Sequence, residues 1–197
     1  MTLILASKSA SRRKLLMAVG LDIKIVPSKV DEGKIKKKML REGAKDEEIA
    51  QILAIEKAKT VSSKHPDNYV IGADQILVCE GELFDKARDL NEAENHLKFF
   101  RGKPHTLVTS VVIVKNKDLV WSHISKPVLY MREFSDQFLT NYIKTGEDAL
   151  LNSVGCYFIE ECGAQLFSKI DGDYYSILGM PLIPLLTKLR ELKLLDE

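Results

Sequence analysis

Asp74 interrupts an otherwise apolar run, Val70-Ile71-Gly72-Ala73-Asp74-Gln75-Ile76-Leu77-Val78. A short run of aliphatic and β-branched residues predicts a strand buried on both faces or close to it. An ionised carboxylate inside such a strand is costly unless something nearby pairs with it. The run therefore demands both a layered fold that covers the strand and a cation, a metal or a reaction beside the acid.

The rest of the chain supplies layers of the right kind. Leu3 to Ala6 reads as a first strand, Ser11 to Gly20 as a helix closed by glycine, and Ile23 to Val26 as a second strand. A lysine-heavy stretch from Lys34 to Lys38 precedes a long helix over Asp46–Ser63. Beyond the Asp74 strand, Glu80-Gly81-Glu82 has the composition of a hairpin tip, and Asn91 with Glu94 resembles a cap for a helix reaching Phe100. Thr106 to Val114 and Leu119 to Met131 read as long strands around the turn Lys115-Asn116-Lys117-Asp118. A helix from Ser135 to Lys144, strands near Cys156–Glu160 and Gln165–Ile170, and a helix beginning at Pro181 complete the pattern. In the last helix Leu182, Leu185, Leu186, Leu189 and Leu192 form one apolar stripe, which assigns it to packing. No repeat or linker is evident, so the expectation is an α/β fold with helices alternating with a mixed sheet.

Composition matters here mainly for what it excludes. The chain has 197 residues, enough for one domain or two small lobes, and 29 Lys plus Arg oppose 28 Asp plus Glu. No global field recruits nucleic acid or an anionic membrane, so any anion binding must be local. Cys79, Cys156 and Cys162 are odd in number and form no C-x-x-C pair, as expected of reduced thiols in a cytoplasmic protein. Leu3 to Ala6 is too short for a signal peptide, and no stretch approaches a membrane span.

Candidate partners for Asp74 lie elsewhere in the chain. The turn Ala6-Ser7-Lys8-Ser9-Ala10-Ser11-Arg12-Arg13 leaves a strand and enters a helix, where backbone N–H groups, serine hydroxyls and guanidinium groups can converge on an anion such as phosphate. The plainer reading is a serine cap followed by solvated arginines. Lys57 falls among Ile49, Ala50, Leu53, Ala54 and Val61 on one face of the long helix, a second cation where simple solvation is not expected; read alone, it snorkels from the edge of the core. Lys86 follows the hairpin and, read alone, is a surface lysine. Asp31-Glu32 after the second strand reads either as a polar loop or as help for Mg²⁺, which takes a few carboxylates together with substrate oxygens and water. Asp74 itself is a candidate general base or metal ligand. His65, His96, His105 and His123 lack metal spacing, and the signatures G-x-x-x-x-G-K-S/T, G-x-G-x-x-G and G-x-S-x-G are absent.

Taken in order, these segments resemble the Maf family of nucleoside triphosphate pyrophosphatases. The resemblance is carried by Leu3 to Leu16 (LILASKSASRRKLL), Val30-Asp31-Glu32, Glu56-Lys57-Ala58, Val70 to Gln75, Asp85-Lys86, Arg101 to Thr109, and Gly155 to Pro181 with its ending GDYYSILGMP. It implies a single Maf-like domain over residues 1–197, with an elongated mixed sheet, two lobes and a central cleft, commonly as a homodimer. It also implies cleavage of a nucleoside triphosphate to the monophosphate and pyrophosphate with a divalent metal, Mg²⁺ or Mn²⁺. The proton acceptor then falls on Asp74, phosphate contacts on Arg12, Lys57 and Lys86 with Ser7 and Ser9 on the N-terminal loop, and metal-associated carboxylates on Glu32 and Asp74.

Base preference is expected at three positions. Members resembling thymidine and uridine triphosphate hydrolases carry Thr after the catalytic Asp and Gln after the later G-x-Y-x-I motif, whereas this chain has Gln75 and Glu160. Both look like the subgroup acting on 7-methyl-GTP, and a glutamate suits the N1–H and N2–H₂ donors of guanine. Glu160 read alone is an outward-facing strand residue. Ser11 departs from the aromatic residue of that subgroup and from the Arg of the other; Ala87 replaces a usual proline, and Asn152-Ser153 a usual Asp-Lys.

Two other classes compete. The cluster Lys34, Lys36, Lys37 and Lys38 would suit a nucleotide- or nucleic-acid-binding regulator of cell division, although a solvated basic helix face explains it more simply and no nucleic acid is expected. Phosphomonoester or nucleoside diphosphate hydrolysis at the same anion site is the enzymatic alternative.

Overall fold

The computed structural model describes residues 2–196. In chain order, β1 (Leu3–Leu5) leads into α1 (Ala10–Ala18), followed by β2 (Ile23–Ile25), α2 (Glu32–Arg41), α3 (Asp46–Ser62) and β3 (Tyr69–Cys79). Next come β4 (Glu82–Phe84), α4 (Leu90–Phe100), β5 (Pro104–Lys115), β6 (Asp118–Ser125), β7 (Val128–Met131) and α5 (Asp136–Gly146). Two short 3₁₀ turns, Glu147–Asn152 and Cys162–Leu166, precede β8 (Phe167–Asp171), α6 (Tyr174–Ile177) and α7 (Leu182–Glu191).

The expected α/β architecture is present as an open mixed sheet of eight strands. Its order is β2-β1-β3-β5-β7-β8, with β4 beside β3 and β6 beside β5. β1 runs parallel to β2 and β3, while β4, β6, β7 and β8 join by antiparallel pairing. By its internal contacts the chain divides into two compact units. The first comprises residues up to Gln75, Thr109–Ser125 and the chain from Asp173 on; the second comprises Ile76–Val108 and Lys126–Gly172.

In the first unit, alternation along the strands sends side chains into two separate cores. Leu3, Leu5, Ile71, Ala73, Val111 and Ile113 pack with Leu16 of α1 and with Leu182, Leu185 and Leu189 of α7. Ile4, Ala6, Val70, Val112 and Val114 pack with Ala54, Ala58 and Val61 of α3. The α7 stripe thus does the packing its spacing predicts, and the run around Asp74 is covered on both faces. In the second unit, Phe84 stacks edge-on against Phe100 at 4.7 Å and His96 at 5.1 Å, and Tyr157 meets Phe167 at 4.8 Å.

Several expected boundaries move. The lysine-heavy stretch is helix α2, capped by Asp31, whose carboxylate accepts from the Lys34 amide at 3.0 Å. α4 begins before Asn91: Asp89 is its cap, accepting from the Glu92 amide at 2.8 Å. The single strand expected from Leu119 to Met131 is two strands, β6 and β7, because Pro127 cannot donate to a ladder. Cys156–Glu160 is not a strand at all. Cys156 has φ of 58°, a left-handed turn incompatible with extended pairing, and Glu160 lies in the turn that follows. β8 accordingly starts at Phe167, with Gln165 in the preceding 3₁₀ turn.

Candidate active site

Gly72 determines how close helix and strand can come. A Cβ there would collide with the Ala54 carbonyl oxygen and lie 2.8 Å from Ala58 Cβ, so only glycine lets α3 settle on β3 at this distance. From the same stretch of α3, between Ala54 and Ala58, Lys57 reaches Asp74, two residues beyond Gly72 on β3. Its Nζ lies 2.6 Å from Asp74 Oδ1 and 2.9 Å from Glu32 Oε2. Asp74 is 4% exposed and Lys57 8%, whereas the Glu32 side chain keeps 47% of its surface open. The lysine therefore pairs with acids and does not snorkel, and the first residue of α2 brings a solvent-facing carboxylate to a buried one.

A second cation approaches the same strand from α1. Ser9 caps the helix by accepting from the Arg12 amide at 3.3 Å, and Ser7 Oγ accepts from the Ser9 amide at 3.2 Å. Arg12 turns inward: Nε donates to Gly179 O at 2.8 Å, and Nη1 to Ala73 O at 2.8 Å and Ser7 Oγ at 3.3 Å. Arg13 is exposed, so of the two arginines that the plainer reading leaves solvated only this one is. Burial lowers the Arg12 pKa against the opposing attraction of Asp74 and Glu32, yet a guanidinium keeps its charge in any working range.

The charges around Asp74 do not balance its burial fully. Desolvation raises its pKa above the ordinary carboxylate value; Lys57 and then Arg12 oppose that, the hydrogen bond from Lys57 adds to the opposition, and Glu32 reinforces the rise. Oδ1 is held by Lys57, while Oδ2 is buried with no hydrogen-bond partner. An orphaned carboxylate oxygen of raised basicity is what a proton acceptor or metal ligand requires. Among the described residues no group of three or more His, Cys, Asp or Glu is gathered for a metal ion. Asp74 Oδ2 and the open Glu32 carboxylate nevertheless fit a hard divalent cation that takes one or two carboxylates and fills its remaining positions from substrate and water.

The other expected positions belong to both units. Ser11 is half-buried on the first turn of α1. Lys86 is exposed in the segment between β4 and α4, and Glu160 is exposed in its turn; both belong to the second unit. Ala87 is buried. Gln75 is half-buried, and its Nε2 donates to Thr109 Oγ1 at 2.8 Å, Ser176 O at 3.0 Å and Ile177 O at 3.1 Å. Thr109, Ser176 and Asp173, which completes the network by accepting from the Ser176 amide and hydroxyl at 2.7 and 2.6 Å, were not anticipated. The signal was available: Thr109 interrupts the apolar run Leu107–Val114 much as Asp74 interrupts its own, and D-x-x-S at 173–176 is a cap pattern.

The α2 lysines fit the simpler expectation. Lys34, Lys37 and Lys38 are exposed and Lys36 is half-buried, and α2 buries none of its residues.

Known proteins resemble this chain from end to end. A family model described as Maf-like protein matches residues 2–192. A protein of Granulibacter bethesdensis named nucleoside triphosphate pyrophosphatase is 52% identical over 191 residues, covering 97% of each chain. One of Hyphomonas neptunium with the same name is 46% identical, over 97% of this chain and 96% of its own. A Rhizobium etli protein named 7-methyl-GTP pyrophosphatase is 39% identical over 98% of each. With the family pattern matched over residues 2–192 and such relatives aligned over 96–98% of their lengths, the chain belongs to the Maf family.

Proposed function

We infer that this chain is a hydrolase that cleaves nucleoside triphosphates between the α and β phosphates, releasing the monophosphate and pyrophosphate. The relatives' names support the activity, and one observation supports the mechanism: a buried Asp74 whose Oδ2 is unpartnered while its Oδ1 is held by Lys57. In this reading Asp74 takes the proton from the attacking water, its raised pKa making it a better base than an exposed carboxylate. Arg12, Lys57 and Lys86 offset the triphosphate charge that repels an incoming nucleophile. Ser7 and Ser9 accept hydrogen bonds from within the turn, so both hydroxyl hydrogens are free to donate to phosphate oxygens. Mg²⁺ or Mn²⁺, held by Glu32 and Asp74, would add charge neutralisation and a more acidic water.

The family resemblance supports the remaining parts of the reading: a single Maf-like domain over residues 1–197, a homodimer, and work in the cytoplasm. It also puts base selection at Ser11, Gln75 and Glu160 and points toward 7-methyl-GTP, the name carried by relatives from 39 to 42% identical.

A product assay over a panel of nucleotides tests the proposal. Wild-type protein is expected to release pyrophosphate in a metal-dependent way, with 7-methyl-GTP preferred over dTTP and UTP. Asp74→Asn is expected to retain nucleotide binding and lose about 10²–10⁴-fold in turnover. Release of inorganic phosphate, or wild-type turnover in Asp74→Asn, would refute it, and binding without hydrolysis would instead mark a regulator.

A further inference from the structure

The two residues flanking Asp74 are both fastened to one turn. Arg12 bridges Ala73 O and Gly179 O, each at 2.8 Å, while Gln75 Nε2 bonds the carbonyls of Ser176 and Ile177. The polarity of the Gln75 network is determined by the chemistry of its members. Carbonyl oxygens only accept, so the Thr109 hydroxyl spends its proton on Ser176 O at 3.0 Å and offers Gln75 a lone pair. Three acceptors then surround one end of the Gln75 amide, which identifies that end as nitrogen and commits both its hydrogens to the fold. Thr109 and Ser176 are 0% and 1% exposed, so water cannot replace these bonds. Strand alternation also directs Gln75 to the side of β3 opposite Asp74 and Lys57.

We propose that Gln75 and Thr109 are a positioning pair: with Arg12 they clamp the Ser176–Gly179 turn to β3 on both sides of Asp74, and they hold the acid in place for every substrate. The proposal rests on the hydrolysis reading and revises the part that family resemblance gives Gln75, from contact with the base to support of the strand. Gly179 fits this role. It has φ of 87°, and a Cβ there would lie 3.3 Å from Arg12 Nε, so the turn has been shaped to let the guanidinium in.

Steady-state kinetics on Thr109→Val, Gln75→Met, the double variant and Thr109→Ser test the pair, with thermal unfolding to establish that each is folded. Because a 1 Å misplacement costs about a hundredfold, each disruptive variant is expected to lose about tenfold in kcat at little change in KM. The factor should be the same for each hydrolysed nucleotide. The double variant should lose no more than the worse single one, because the two side chains share one network, and Thr109→Ser should restore kcat. If Gln75→Met shifts the ratio of kcat/KM between bases while Thr109→Val does not, Gln75 reads the base and the proposal fails. Additive losses, or no loss in kcat in either folded single variant, overturn it equally. Should Thr109→Val not fold, the uniform factor expected of Gln75→Met decides the matter alone. A wild type that releases pyrophosphate from no nucleotide would strike the hydrolysis reading instead.

Discussion

The first unit buries Lys57, Arg12 and Asp74 together, and the second buries His105 and Tyr157, whose Nε2 and hydroxyl lie 2.7 Å apart among Phe100 and Phe167. Both sets are polar groups hidden from water, yet they meet the cost of burial in opposite ways. Around Asp74 the cations Lys57 and Arg12 offset part of the cost of burying a carboxylate. Around His105 no charge is at hand, and burial alone pushes its pKa down to about 4, while Tyr157 is held well above its ordinary value. That pair is neutral in the working range and serves packing; Asp74 is under-compensated by its cations and available for chemistry.

The contrast is broken most severely by removing the cation that sustains it. Lys57→Met leaves the buried Asp74 and its neighbour Glu32 without their shared partner. Loss of one member of a buried ion pair costs about 3–5 kcal/mol, which urea unfolding at neutral pH should register together with loss of turnover. A variant as stable as wild type would mean that Lys57 is dispensable to the charge cluster.

Acid separates the two regions by sign. The His105 pKa is lower in the folded chain than in the unfolded one, so as pH falls from about 6.5 the unfolded chain takes up a proton that the native state refuses. Stability is lost progressively down to about pH 4, by about 3 kcal/mol in full. Asp74 is shifted the other way: its contribution is complete below the unfolded carboxylate pKa and is lost as pH rises through its raised folded value. In urea unfolding across a pH series, His105→Phe should therefore gain on wild type as pH falls, and Asp74→Asn should gain on it as pH rises. Parallel trends in the two variants would dissolve the distinction.

A smaller effect is expected from Gly72→Ala, which adds one methyl group between β3 and α3. Overpacking of this kind costs about 1–3 kcal/mol, and because the obstacle includes the Ala54 backbone, relief must come from displacing the helix that carries Lys57. The thermal midpoint should fall and turnover with it; unchanged kinetics in a destabilised variant would show that the Lys57 contact tolerates the displacement.

Features with a local or periodic cause were legible in the sequence. Two-sided burial of β3, Lys57 on the apolar face of α3 and the leucine stripe of α7 follow from spacing alone. The run Cys156–Glu160 misled because its aromatic and branched residues favour extension while a left-handed Cys156 reverses the chain. The shift of the α4 cap to Asp89 shows the ambiguity of acids and amides crowded before a helix. Of the candidate site, Asp74, Lys57, Glu32 and Arg12 were singled out one by one, but their meeting was not deducible from any of them. The partners of Gln75 lie 34, 101 and 102 residues away, a separation at which local pattern has nothing to say.

Glu32 inherits its behaviour from the helix that carries it. A ten-residue helix is marginal by itself. α2 has no buried residue to anchor it, and like charges stand four apart at Lys34 and Lys38 and at Lys37 and Arg41. Its Asp31 cap, the cations of its last turn and the ion pairs Lys38–Glu42 and Glu32–Lys57 favour it. Such an element is expected to open locally before β3 does, and hydrogen exchange should then find its amides exchanging sooner than those around Asp74. The carboxylate that meets Lys57 is thus carried by an element with no buried residue of its own, and on this expectation the 2.9 Å contact between them lasts only as long as that short helix stays formed.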